Sequence, residues 1–129
     1  MPRQFRTIIA AALACTMSAV AGAGLPADQE ADIQYLLDYV AGSGCTFIRN
    51  GSENDPEAAA DHLRLKYSRG KRYFDTAEQF IDRLASESSW TGKKYKINCS
   101  GEISASGVWL HEALDKHRAL ETDSPKQQQ

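Results

Sequence analysis

The most regular pattern of apolar and polar positions lies in residues 75–91, DTAEQFIDRLASESSWT. Ala77, Phe80, Ile81 and Leu84 recur at spacings of three and four, which places them on one face of a helix. An N-cap residue followed three positions later by Glu or Gln, the pattern of a capping box, precedes this stripe. The pattern predicts a helix over 75–91, and we expect the other helices to pack against it.

Three further segments predict helices. Residues 26–41 begin with a proline and two acids and end before two glycines. Residues 55–69 begin with Asp-Pro-Glu and end before Gly70. A last helix begins at Ser106, whose side chain we expect to serve as the N-cap.

Two short segments have an extended pattern. Residues 45–49 form a β-like run before Asn50-Gly51, which is a strong turn signal. Residues 93–99 alternate in part between apolar and polar side chains. We therefore predict a mainly α fold: a small four-helix domain with a short two-stranded β element.

The N-terminus has the pattern of a cleaved signal peptide. Two arginines precede an uncharged apolar run, and small residues near position 23 fit a signal-peptidase site. Two alternatives are a retained N-terminal anchor and lipoprotein processing at Cys15. The predicted organisation is a signal peptide over 1–23, one helical domain over 24–120 and a disordered tail over 121–129. No segment of the mature chain is apolar enough to span a membrane.

Cysteines and charge refine this picture. Cys45 and Cys99 remain after cleavage, and an even pair in an exported chain is typical of a disulfide. Loss of Arg3 and Arg6 with the signal peptide moves the formal net charge from −2 to −4. A mildly acidic chain argues against nucleic acid as a partner. Without CxxC, HExxH or a calcium loop, the sequence predicts no metal and no cofactor.

Two polar segments are candidates for chemistry. Residues 62–72 carry His62 and several cations, which serve either as an anion-binding patch or as charges that complement a helix C-terminus. Residues 88–93, SSWTGK, place hydroxyls and backbone N–H groups beside lysines. The structural alternative is a helix C-cap whose serines bond the terminal carbonyls.

The chain resembles the YfeK-like family, small exported proteins of Gram-negative bacteria with no established activity. The blocks that carry the resemblance are FIRNG at 47–51, AADHLRLKY at 59–67, DTAEQFIDRLAS at 75–86, SSWTGKKYKI at 88–97 and WLHEAL at 109–114. The resemblance implies a periplasmic location and transfers no catalytic role. The polar residues inside these blocks are the candidate binding residues: Arg49, His62, Arg64, Ser88, Ser89 and Thr91.

Two functional hypotheses follow. The first is a non-enzymatic binding or accessory module of the cell envelope, whose partner is an envelope protein or a cell-wall ligand. The second is a small hydrolase or transferase in which His62 acts as the base and Ser88 or Ser89 as the nucleophile. We favour the first hypothesis, because the sequence contains no recognisable catalytic set.

Overall fold

The computed structural model describes residues 24–124, so the predicted signal peptide and residues 125–129 lie outside the described residues. The elements in chain order are α1 (Ala27–Gly42), β1 (Thr46–Arg49), β2 (Ser52–Asn54), α2 (Pro56–Gly70), a 3-10 turn (Lys71–Tyr73), α3 (Ala77–Phe80), which continues as a π-helical stretch (Ile81–Ala85), β3 (Lys96–Cys99), β4 (Glu102–Ala105) and α4 (Ser106–Asp123). Helix α4 therefore includes the first three residues of the segment predicted as a tail. None of the helices in the described part of the chain has the length and apolarity needed to cross a bilayer.

The predicted two-stranded element was wrong, because the structure contains a four-stranded antiparallel sheet with the order β2-β1-β3-β4. Two tight hairpins add the outer strands. Asn50 and Gly51 both have positive φ in the first turn, and Ser100 and Gly101 both have positive φ in the second. Positive φ at both central residues is what a type I′ hairpin requires. The fold is accordingly a mixture of helices and sheet.

The helix predicted over 75–91 is shorter than expected. Thr76 caps its start by accepting from the backbone N–H of Gln79, as the capping pattern predicts. The helix ends at Ala85, where the Ser86 hydroxyl donates to the Ile81 carbonyl at 2.7 Å. Residues 86–95 instead fold back on themselves, with the Tyr95 N–H donating to the Ser86 carbonyl. The serines of 88–89 therefore lie in a loop and not at a helix C-cap.

The core lies between the helices and one face of the sheet. Phe47 and Ile97 are cross-strand partners, and both are buried. Helix α3 and its π-helical stretch contact each of the other three helices, as expected. The fully buried side chains that the helices contribute include Ile33, Leu36, Leu63, Phe80, Leu110 and Leu114.

Two polar features join the elements. The Cys45–Cys99 disulfide links the start of β1 to the end of β3, with Cα atoms 4.5 Å apart. The Ser106 hydroxyl is fully buried and donates to the Ala85 carbonyl at 2.6 Å. The prediction that Ser106 caps α4 with its side chain was therefore wrong, because that hydroxyl satisfies the end of the preceding helix instead.

Candidate functional site

The strand β1, the helix α2 and the loop 86–95 enclose a small cavity of about 250 Å³. We call it the basic pocket, because the part of the chain that the structure describes lines it with three cationic residues and no carboxylate. Its lining residues are Arg49, Asn50, His62, Lys66, Arg69, Ser88, Ser89, Trp90 and Tyr95.

Helix α2 supplies one wall of the basic pocket. His62, Lys66 and Arg69 are separated by four and three positions, which places them on the same face of the helix. The N-terminus of this helix is fixed by Asp55, whose carboxylate accepts from the backbone N–H of Ala58 at 2.8 Å. The helix therefore presents an imidazole and two cations to the cavity from a capped element.

Arg49 and His62 contact each other across the basic pocket. Nη1 of Arg49 lies 2.7 Å from Nε2 and 3.1 Å from Nδ1 of His62. A guanidinium only donates hydrogen bonds, so the imidazole must be the acceptor and hence neutral. Burial, followed by the charges of Arg49 and Lys66, lowers the pKa of His62. Both observations indicate a neutral histidine whose acceptor nitrogen is already engaged.

Lys66 lies deeper in the same wall. Its Nζ donates to the Leu84 carbonyl at 2.5 Å, to the Glu87 carbonyl at 3.3 Å and to the Tyr95 hydroxyl at 3.3 Å. Burial and the charge of Arg49 lower the pKa of Lys66 to about 8, although Glu87 acts in the opposite direction. Lys66 thus joins α2 to the end of α3 and adds positive potential to the pocket.

The loop over 86–95 closes the other side of the basic pocket. The Ser88 hydroxyl is buried and accepts from the backbone N–H groups of Trp90 and Thr91 and from the amide of Asn50, at 3.3 to 3.4 Å. The Thr91 hydroxyl donates to the side-chain amide oxygen, Oδ1, of Asn50 at 2.9 Å. Ser88 therefore organises the loop, which leaves Trp90 almost fully exposed at the pocket edge, at 98%.

This geometry gives no support to nucleophilic catalysis. A serine nucleophile needs a base at hydrogen-bond distance. Among residues 24–124, no hydrogen bond joins His62 to Ser88 or Ser89, and the imidazole acceptor faces Arg49 instead. The pocket is better suited to electrostatic binding, because guanidinium groups without carboxylate partners bind anions strongly.

Comparison with known proteins places the chain in a family. The model described as "Family of unknown function (DUF5329)" matches residues 27–118, which is most of the chain. The chain belongs to the DUF5329 family. The uncharacterized protein YfeK of Salmonella typhimurium is 43% identical over 91 residues, covering 70% of this chain and 76% of that protein. This confirms the resemblance to YfeK-like proteins. No solved structure matches the chain.

The matched DUF5329 region includes every residue that the sequence suggested for binding, and the structure separates them into two groups. Arg49, His62, Ser88 and Ser89 line the basic pocket, and Thr91 bonds to Asn50 beside it. Arg64 lies elsewhere, because it forms salt bridges with Asp38 at 3.1 Å and Asp61 at 3.0 Å.

Sequence reasoning did not propose Asn50 or Tyr95 for binding. It included Lys66, Arg69 and Trp90 only within the broader candidate segments 62–72 and 88–93. Lys66 and Arg69 carry a signal, since they continue the face of His62 at helical spacing. Tyr95 carries none, because an alternating strand pattern does not show that its hydroxyl reaches a lysine of another element.

A second group in this DUF5329 member has the composition of a metal site. Residues 24–124 contain one group of three potential metal ligands whose ligand atoms all lie within 4.8 Å of one another. Its members are Asp32, His117 and Glu121. None of the three lines the basic pocket.

Proposed function

We propose that this protein is a non-enzymatic binding module of the cell envelope, exported to the periplasm, and that its basic pocket holds an anionic group of the ligand. Carboxylates and phosphates are the anions that arginine recognises best, through paired N–H donors. Cell-wall peptides and envelope phosphates both present such groups.

The observation that carries the proposal is the convergence of Arg49, Lys66 and Arg69 on one cavity to which residues 24–124 contribute no lining carboxylate. Like charges brought together in a partly buried site repel, and a bound anion relieves that repulsion. Salt bridges elsewhere in the described residues show the contrast, because Arg64 and Arg118 each contact two acidic side chains.

The periplasmic location rests on two features. The N-terminal sequence is typical of a cleaved signal peptide, and the Cys45–Cys99 disulfide suits an oxidising compartment. Export can be checked by fractionating cells that express the protein and determining the N-terminus of the periplasmic form by mass spectrometry.

The pocket is tested by titrating the purified, disulfide-bonded protein with inorganic phosphate and with acetate, followed by NMR chemical shifts. We expect saturable shifts at Arg49, Lys66 and Arg69. Arg49→Gln should weaken binding by at least about tenfold, since a hydrogen bond to a charged group contributes roughly 1.5–3 kcal/mol.

Arg64→Gln is the matched control, because it removes the same charge from a side chain outside the pocket. An equal loss of affinity in both variants would show that only net charge matters. A linear, unsaturated response in the wild type would also defeat the proposal.

Photo-crosslinking in living cells identifies the ligand. A photoreactive residue at Ser89, at the edge of the pocket, should give a discrete adduct, whereas one at the exposed Asp115 of α4 should not. Identical adduct patterns at the two positions would contradict a specific binding surface at the pocket.

A further inference from the structure

Helices α1 and α4 bring three potential metal ligands together. Nε2 of His117 lies 3.8 Å from Oδ1 of Asp32 and 3.4 Å from Oε1 of Glu121. His117 and Glu121 are one helical turn apart on α4, and Asp32 projects from α1. The arrangement therefore depends on the packing of two helices and cannot be seen in a local sequence motif.

The distances fit a bound ion. Zinc binds nitrogen and oxygen ligands at about 2.0–2.2 Å, so neighbouring ligand atoms of a tetrahedral site are about 3.3–3.5 Å apart. The His117–Glu121 distance of 3.4 Å lies in this range, and the His117–Asp32 distance of 3.8 Å needs a small side-chain adjustment to reach it. The Asp32 side chain is only 9% exposed, yet its Oδ1 receives no hydrogen bond from residues 24–124. At 3.8 Å the imidazole is too far to donate to it. An oxygen of this largely buried side chain, which solvent still reaches, thus faces an imidazole nitrogen across a gap slightly wider than that of a zinc site.

Surrounding side chains hold two of the ligands in place. The His117 ring stacks on Tyr35, with centroids 3.7 Å apart and planes at 7°. The other oxygen of Asp32 accepts from Nε of Arg118 at 2.9 Å, which fixes the carboxylate plane. Ligands of metal sites are typically oriented by contacts of this kind.

The local charge favours a divalent cation. Arg118 also pairs with Glu78, so one guanidinium is shared between two carboxylates. With Glu121 included, three carboxylates and one guanidinium leave two negative charges. Two of the three ligands, Asp32 and Glu121, line a surface groove of about 720 Å³. Asp28, Asp123 and the paired Arg118 also line it, so the entry path for a cation is mainly acidic.

We propose that Asp32, His117 and Glu121 form a zinc-binding site in which water completes the coordination. The imidazole ligand distinguishes this site from magnesium and calcium sites, which are built from oxygen ligands. Zinc would join the start of α1 to the end of α4, and this role is independent of the basic pocket.

The test is a titration of the chelator-treated, untagged protein with Zn²⁺ by isothermal calorimetry. The wild type should bind one ion per chain, and His117→Phe, which keeps a ring against Tyr35, should weaken binding by at least about tenfold. Titration with Co²⁺ should give the intense visible absorption of a tetrahedral site in the wild type, and this absorption should disappear in the variant.

His111→Phe is the matched control, because His111 lies on the same helix but contacts Asp82. Its zinc affinity should stay within about twofold of the wild type. If His117→Phe fails to fold, Glu121→Gln provides the test, since that side chain is 64% exposed and its loss should not unfold the protein. Failure of the wild type to bind stoichiometric zinc, or full affinity in the folded ligand variants, overturns the proposal.

Discussion

At the scale of single residues, Lys66 shows how one side chain links local structure to the site. Its ammonium contacts two backbone carbonyls and a phenol hydroxyl, all from the segment that ends α3 and leads into β3. Because that segment also carries Ser88 and Trp90, the lysine positions the loop that closes the basic pocket. The loop position and the pocket charge therefore depend on the same residue.

The titration of Lys66 should make stability depend on pH. Its folded pKa of about 8 lies below the ordinary value of 10.5, so folding releases a proton between these values. The unfolded chain binds more protons in that window, and the free energy of unfolding should rise with pH through it. This contribution is fully present above 10.5 and is lost as the pH falls through 8.

Urea unfolding of the wild type and Lys66→Met at several pH values between 8 and 10 checks this expectation. The upward slope should disappear in Lys66→Met and persist in Lys116→Met, which removes an exposed lysine of α4. Tyr67 acts in the opposite direction as the pH nears 10, because burial and its bond to Glu30 raise its pKa from the ordinary 10.0 to about 12. This effect is common to the wild type and both variants, so the comparison between them still isolates Lys66. If Lys66→Met kept the same upward slope as the wild type, the proton released on folding would belong to another group.

At the scale of elements, the junction of α3 and α4 depends on a close approach. A Cβ on Gly107 would lie 2.5 Å from Oγ of Ser86, whose hydroxyl is bonded to the Ile81 carbonyl. Next to it, the buried Ser106 hydroxyl bonds the Ala85 carbonyl. Serine side chains thus bond the carbonyls at the end of α3, and this end packs against the start of α4, where a Cβ at position 107 would collide with the Ser86 side chain.

Gly107→Ala should destabilise the protein by about 1–3 kcal/mol, the usual cost of overpacking a tight contact. Gly42→Ala is the control: it lies at the end of α1 with nothing near its Cβ position, so it should be neutral or stabilise by about 0.4–1 kcal/mol. Urea unfolding measures both. In a Ser86→Ala background the cost of Gly107→Ala should fall, and an unchanged cost would show that Ser86 is not the obstacle.

How well the elements could be predicted follows from where their signals lie. Helices α1 and α2 each have a proline at the start and a glycine at the end, so their predicted bounds agree with the structure within one or two residues. Strands β2 and β4 were missed because they are short and mostly exposed. The little surface that they bury is covered by neighbouring elements, which the local sequence does not show. The Asn50-Gly51 and Ser100-Gly101 pairs were the available signal, since each follows an extended run and favours a hairpin.

The candidate site was predictable only in part, because its residues come together through the packing of separate elements. Arg49, His62 and Ser88 could be chosen from the sequence, but their convergence depends on β1 lying beside α2 and on the loop after α3. Arg64 shares a helix with His62 but points to another face, where Asp38 of α1 neutralises it. Periodicity predicts which face a residue occupies, but it does not show what packs against that face.

At the scale of the whole molecule, the Cys45–Cys99 disulfide connects the two central strands of the sheet. It closes a loop of 54 positions that contains β2, α2 and α3. Arg49 is the last residue of β1 and Tyr95 directly precedes β3, so the disulfide also stabilises the framework of the basic pocket. A domain of this size buries a limited core, and a covalent link compensates for that limit.

Replacement of both cysteines, Cys45→Ala with Cys99→Ala, should lower the free energy of unfolding by about 4 kcal/mol, because the unfolded chain regains the entropy that the closed loop removes. That is a large share of the roughly 5–15 kcal/mol of an ordinary domain. Urea unfolding should also give a larger m-value for the double variant, because its unfolded state is more expanded. Reductant should shift the wild type to the same midpoint and leave the variant unchanged. If the oxidised protein and the double variant unfolded at the same midpoint, pairing of β1 with β3 alone would account for the stability of the sheet.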